Sequence, residues 1–91
     1  MDRKIHKYVL PLEDHSRALM PVGAEVLSAH EQDDKVCVWA LIDPAQNQNQ
    51  TRTFVIVGTG ATMEYHDQLR FIDTVHLYEG SLVLHVFEFR R

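Results

Sequence analysis

The chain is poor in the residues that usually announce chemistry. Its one cysteine, Cys37, rules out an internal disulfide. Cys37 lies in the apolar run Val36–Ile42, which reads as a buried free thiol in a reducing compartment. No basic cluster is present. The nine Lys and Arg residues are scattered, apart from Arg3-Lys4 and Arg90-Arg91, and the formal net charge is -4. Nucleic-acid binders concentrate positive charge on one face to meet phosphates, so no nucleic-acid partner is expected. Stacking of single strands on Trp39 and the tyrosines is the one route left to such a role. No apolar stretch approaches the ~20 residues that cross a bilayer. Met1-Asp2-Arg3-Lys4 leads into no long apolar region, so no signal peptide and no membrane anchor are expected. The cytoplasm is the expected location.

Helical periodicity is missing too: no long segment places apolar residues at i, i+3, i+4 and i+7. What the chain has instead is short apolar segments between polar turns. With 91 residues and a hydrophobic fraction of 45%, it makes one domain, residues 1–91. A domain this small buries a modest share of its surface, so a homo-oligomer is expected.

Ile5–Leu10 reads as a half-exposed edge strand ended by Pro11. Leu12–Gly23 is ambiguous, and a short strand at Arg17–Met20 is preferred over one helical turn. Ala24–His30 and Lys35–Ile42 form strands around the polar connector Glu31-Gln32-Asp33-Asp34. Lys35–Ile42 is apolar on both faces, so it reads as central and covered on both sides. Asp43–Gln50 reads as an exposed loop. Arg52–Val57 is a buried strand that stops at Gly58-Thr59-Gly60. Arg70–Leu77 and Ser81–Phe89 form a hairpin around Tyr78-Glu79-Gly80, and the last strand again looks covered on both sides. The sum is an all-β fold, a small antiparallel β-sandwich or barrel of five to six strands with little or no helix.

An ordered set of segments carries a resemblance. It comprises Lys7-Tyr8-Val9-Leu10, Met20-Pro21-Val22-Gly23-Ala24, Leu27-Ser28, Cys37–Pro44, Arg52–Gly60 and Leu82–Glu88. Across nearly its whole length the chain resembles a family of small uncharacterised proteins encoded by tailed bacteriophages and prophages. Where that resemblance leads one to expect Gly-Thr, a glycine that would mark a bulge, this chain has Asp73-Thr74. The resemblance implies action inside a bacterial host cell and supplies no catalytic residues.

The candidate site rests on Gly58–Leu69, a connection longer than the usual ~4–6 residues and therefore a candidate for function. Gly58-Thr59-Gly60 reads first as a structural turn and second as a cradle of N–H groups for an anion. A phosphate loop would need more glycines, a lysine and a following helix. The candidate ligand contacts are Arg52, Thr59, Gly60, Tyr65, His66 and Arg70, the ligand being a small anion. Six histidines show no metal-ligand spacing, although His76 and His85 share the final hairpin with Asp73 and Glu88 as acidic neighbours. His85 reads as a packed histidine bonded to a backbone carbonyl. Cys37 is too buried for a nucleophile, and Ser16, Ser28 and Ser81 lack an elbow context. No enzyme, cofactor or metal is expected. The expected role is a non-catalytic accessory binding protein acting on a host protein or small ligand. A virion structural or assembly component is the alternative, and sequestration of a nucleotide immune signal a further one.

Overall fold

The structure, a computed structural model, describes residues 2–90. Seven strands follow one another: β1 (Lys4–Leu10), β2 (His15–Pro21), β3 (Glu25–Gln32), β4 (Lys35–Ile42), β5 (Asn49–Gly58), β6 (Leu69–Leu77) and β7 (Leu82–Phe89). A single 3-10 turn, Tyr78–Gly80, joins the last two. The strands form two antiparallel sheets, a three-stranded one ordered β1-β4-β3 and a four-stranded one ordered β2-β5-β7-β6. The fold is thus a sandwich of seven strands and not a closed barrel, which corrects both the strand count and the barrel alternative.

The short strand preferred at Arg17–Met20 forms and extends to His15–Pro21, and the count was low because this strand is faint in the sequence. Its inward residues are Ser16, Ala18 and Met20, a weak apolar signal, while His15, Arg17 and Leu19 face out. Ser16 is nevertheless fully buried, and its Oγ donates to the Pro11 carbonyl at 2.7 Å. Pro21 closes the strand opposite Asn49, where an edge position tolerates the missing N–H. The polar run before Arg52 is shorter as a loop than expected, because Asn49 and Gln50 extend β5 and pair with Pro21 and Met20.

The core lies between the sheets. Val36, Val38, Ala40 and Ile42 of β4 meet Phe54 and Ile56 of β5, Val75 and Leu77 of β6, and Leu84 and Val86 of β7. Period-2 alternation produces this set directly. The overall thickness of 17 Å suits two layers with exposed outer side chains. The β3–β4 hairpin turns through Asp33 and Asp34 at φ 54° and 58°, the left-handed pair that two-residue hairpins require.

Two expectations about coverage change. β4 is central, but among the described residues no layer covers its outer face: Trp39 and Leu41 are half-buried there, and only Cys37 is fully buried. Lys7 Nζ donates to Gln32 Oε1, and since β1 and β3 flank β4, this bond draws the Lys7 stem across β4. The outer face of β5 and β7 is covered only in part, by the chain between β5 and β6. β5 and β6 run the same way with β7 between them. Residues 59–68 therefore return along the sheet as a crossover on its outer side.

Candidate functional site

The crossover begins in a tight turn. The Ala61 N–H donates to the Gly58 carbonyl at 3.1 Å, and Gly60 takes φ +85°. That conformation belongs to glycine, since a Cβ there would be strained even though the space around it is open. The Thr59 N–H donates to the Val83 carbonyl at 3.2 Å. Two of the amides that an anion cradle would need are thus engaged within the fold. The Thr59 hydroxyl meets His85 Nε2 at 2.7 Å, and the Thr74 hydroxyl meets Nδ1 at 3.0 Å. His85 is therefore held by two hydroxyls and not by a backbone carbonyl. It stands opposite Thr74, and His76 stands opposite Val83.

Further along, the crossover lies on a row of aromatic rings. Tyr65, 66% exposed, meets Phe87 edge-on at 6.4 Å, and Phe87 meets Phe71 at 5.4 Å. His66 meets Phe89 edge-on at 5.6 Å. A second turn, with the Leu69 N–H on the His66 carbonyl, feeds the chain into β6. Between this crossover and the sheet lies a cleft of about 660 Å³. Its floor is Val55, Val57 and Phe89, and Ala61 and Met63 also line it. Asp14, His15, Thr53, Thr62, Glu64 and His66 supply its polar groups, and among the described residues no Lys or Arg lines it. His66 Nδ1 is buried and has no hydrogen-bond partner among the described residues. A buried nitrogen of that kind costs about 1–3 kcal/mol unless something pairs with it.

The arginines are elsewhere. Arg52 and Arg70 project between the sheets at the end where β5 begins, on either side of Glu88. Arg52 Nε donates to Glu88 Oε2 at 2.6 Å, and Arg52 Nη1 donates to the Ala24 carbonyl at 2.8 Å. Their side chains are 16% and 4% exposed. Arg70 Nη2 donates to the Val26 carbonyl at 3.1 Å. Asp73 Oδ2 accepts from the Ala29 N–H at 3.4 Å, and its Oδ1 accepts from the Thr74 N–H at 3.0 Å. Ala24, Val26 and Ala29 lie on or beside β3, whose ladder partner is β4 alone. These three side chains thus occupy backbone groups along its other edge and tie the two sheets together. The register of β6 shifts between Phe71 and Asp73. The bulge is therefore present with aspartate, whose carboxylate accepts from the next amide of its own strand and from β3.

The six candidate residues therefore occupy three places. Arg52 and Arg70 come together and border a recess of about 500 Å³ with Glu88 and Arg90. Tyr65 and His66 lie on the crossover, and of these His66 lines the cleft. Thr59 and Gly60 sit at the other end of β5, about 23 Å from Arg52 at ~3.3 Å per residue. Sequence reasoning missed Asp14 and His15, brought to the cleft by β2, since β2 itself was barely legible. It also missed the structural use of Glu88. The signal was there: Leu82, Leu84, Val86 and Glu88 alternate onto one face, so a carboxylate falls on a buried row. Among the described residues no three His, Cys, Asp or Glu side chains gather as metal ligands. No described helix is long and apolar enough to cross a membrane. Burial pushes the Cys37 thiol pKa above its ordinary value.

No curated protein and no solved structure matches the chain. Residues 1–91 match the family described as a domain of unknown function, DUF7352. That match carries no link to bacteriophages. It covers every segment on which the fold and the cleft are built, and the chain belongs to the DUF7352 family.

Proposed function

We propose that this domain is a non-catalytic binding module whose ligand site is the cleft under the crossover. The observation that carries the reading is the cleft itself. A 10-residue return could lie flat on the sheet; here it leaves about 660 Å³ over Val55, Val57 and Phe89. That volume suits a drug-sized molecule, and an apolar floor with a few polar groups is the usual make-up of a small-molecule site. Charge narrows the class of ligand. Among the described residues Asp14 and Glu64 line the cleft without a compensating Lys or Arg, so it favours a neutral or cationic molecule with a flat apolar body. A hydrogen-bonding group on that body would give His66 Nδ1 the partner it lacks, as donor or acceptor according to the ring's tautomer. An anion would be directed to the arginine recess, where Arg52 and Arg70 already donate to Glu88, Ala24 and Val26. The resemblance in segment order supports a bacteriophage or prophage setting, with the ligand or partner supplied by the bacterial host.

Ligand-observed NMR and thermal melts test the reading. The probes are neutral nucleosides, aromatic amines and, as anionic controls, nucleotides including cyclic ones. The expected result is binding by neutral or cationic probes, with shifts at His66 and Val57, and its loss in Val57→Trp, which fills the floor. Binding confined to the nucleotides, or no response of the His66 ring to any probe, would overturn it. Proteomics of purified particles addresses the setting, since an accessory protein is absent from virions.

A further inference from the structure

We propose that the outer face of the β1-β4-β3 sheet is a homodimer interface. Two copies meet face to face about a two-fold axis running across the strands, through the row Lys7–Trp39–Ser28.

The face is apolar and open. Ile5, Val9 and Leu27 are 58%, 48% and 44% exposed, and Trp39 and Leu41 are half-buried beside them. Isolated apolar residues on a surface need no explanation, but a contiguous patch does. Leu27 joins this patch because the register of β3 shifts between Val26 and Ser28. His30 packs against Trp39 with ring centroids 5.8 Å apart.

Register gives this face an order that identifies its occupant. Three outward rows cross the sheet: Val9–Cys37–His30, Lys7–Trp39–Ser28 and Ile5–Leu41–Glu25. A two-fold along the middle row exchanges the other two. Val9 then faces Ile5 of the second copy, Cys37 faces Leu41, and His30 faces Glu25. Trp39 faces its own copy, where two indoles can stack with an offset. Lys7 also lies on the axis, but its bond to Gln32 draws the ammonium toward the His30 end of the face. In the dimer that end meets Glu25 of the second copy. The alternative two-fold, along the strands, would set Ile5 on Glu25 and Val9 on His30, apolar against polar. The face therefore carries both halves of each favourable pairing, which is the signature of an isologous contact.

Size sets the strength. Three strands about 4.8 Å apart and about 23 Å long make a face of roughly 300 Å² in plan per copy. Side-chain relief raises the area removed from water to the order of 1,000 Å² in total, near the lower limit for a specific interface. An interface of that size gives a concentration-dependent dimer.

Sedimentation velocity of the full chain over a wide concentration range is the test. A monomer–dimer equilibrium is expected. Val9→Glu and Glu25→Lys, both at exposed positions, should each raise the midpoint about tenfold or more while leaving thermal melts intact. Orientation is read by cross-linking in a Cys37→Ala background. Ser28→Cys lies on the axis and should couple to its own copy through a short bis-maleimide, whereas Ile5→Cys should not. A monomer at every concentration overturns the proposal and leaves the face to a different protein. A dimer indifferent to both surface substitutions places the contact elsewhere, and Ile5→Cys self-coupling refutes the axis.

Discussion

The Arg52–Glu88 pair offers the sharpest test of how the sandwich is held. It joins β5 to β7, and through Arg52 Nη1 it also holds the Ala24 carbonyl at the start of β3. Glu88→Gln keeps the shape and an acceptor but removes the charge. Arg52 is then a largely buried cation, with Arg70 paired in register across from position 88. Removing one partner of a buried pair costs about 3–5 kcal/mol. The residual exposure of Arg52 and its retained bond to Ala24 favour the lower end, about 3 kcal/mol. In a domain this size each kcal/mol moves Tm by about 4–8 °C, so the expected drop is about 12–24 °C. Arg52→Met should cost a similar amount, since it strands the Glu88 carboxylate and the Ala24 carbonyl. The double variant Arg52→Met, Glu88→Met removes both charges and should be less destabilised than either single variant, the Ala24 carbonyl left without Arg52 accounting for a remaining loss of about 1–3 kcal/mol. Urea denaturation followed by circular dichroism measures all four proteins, and equal m-values license the cycle. A Glu88→Gln loss under about 1 kcal/mol, or a double variant as poor as the sum of the singles, would refute the argument.

Three further outcomes follow from local geometry. Asp33→Asn with Asp34→Gly should stabilise the β3–β4 hairpin by about 1 kcal/mol, since both residues sit at positive φ; a chemical melt measures it, the weak Asp34 bond to the Tyr78 N–H at 3.3 Å being the only loss. Asp73→Ala should destabilise by about 1–2 kcal/mol and accelerate hydrogen exchange selectively at the Ala29 and Thr74 amides, with unchanged protection there counting against the edge-binding role. The raised Cys37 pKa means that the folded state holds its thiol proton to higher pH than the unfolded chain. This contribution is complete below the ordinary thiol range and is lost as pH rises through it, so stability should fall above about pH 8.5. The fall should be reduced in Cys37→Ala, and native Cys37 should react slowly with a thiol reagent at pH 8.

The strongly alternating segments were legible in the sequence because a strand's period of two needs only local information. Lys35–Ile42 and Ser81–Phe89 read as strands, and their inward rows are the core that forms. β2 was faint, since Ser16, Ala18 and Met20 are buried by contacts and a hydrogen bond to Pro11 that no local pattern records. For the candidate site, sequence reasoning found the long connection and the residues on it. It could not foresee that β7 would pair between β5 and β6, which turns that connection into a crossover on the outer sheet face. Nor could it foresee that Arg52 and Arg70 would turn inward to the edge of β3, well away from Thr59 and Gly60. Alternation by itself determined an all-β domain with a two-faced apolar pattern. Strand order alone decided which apolar face became the core, which became the floor of a cleft and which stayed open. The reason is physical: the side-chain period is written in the chain, whereas the neighbour that covers each face is set by pairings between residues far apart in sequence.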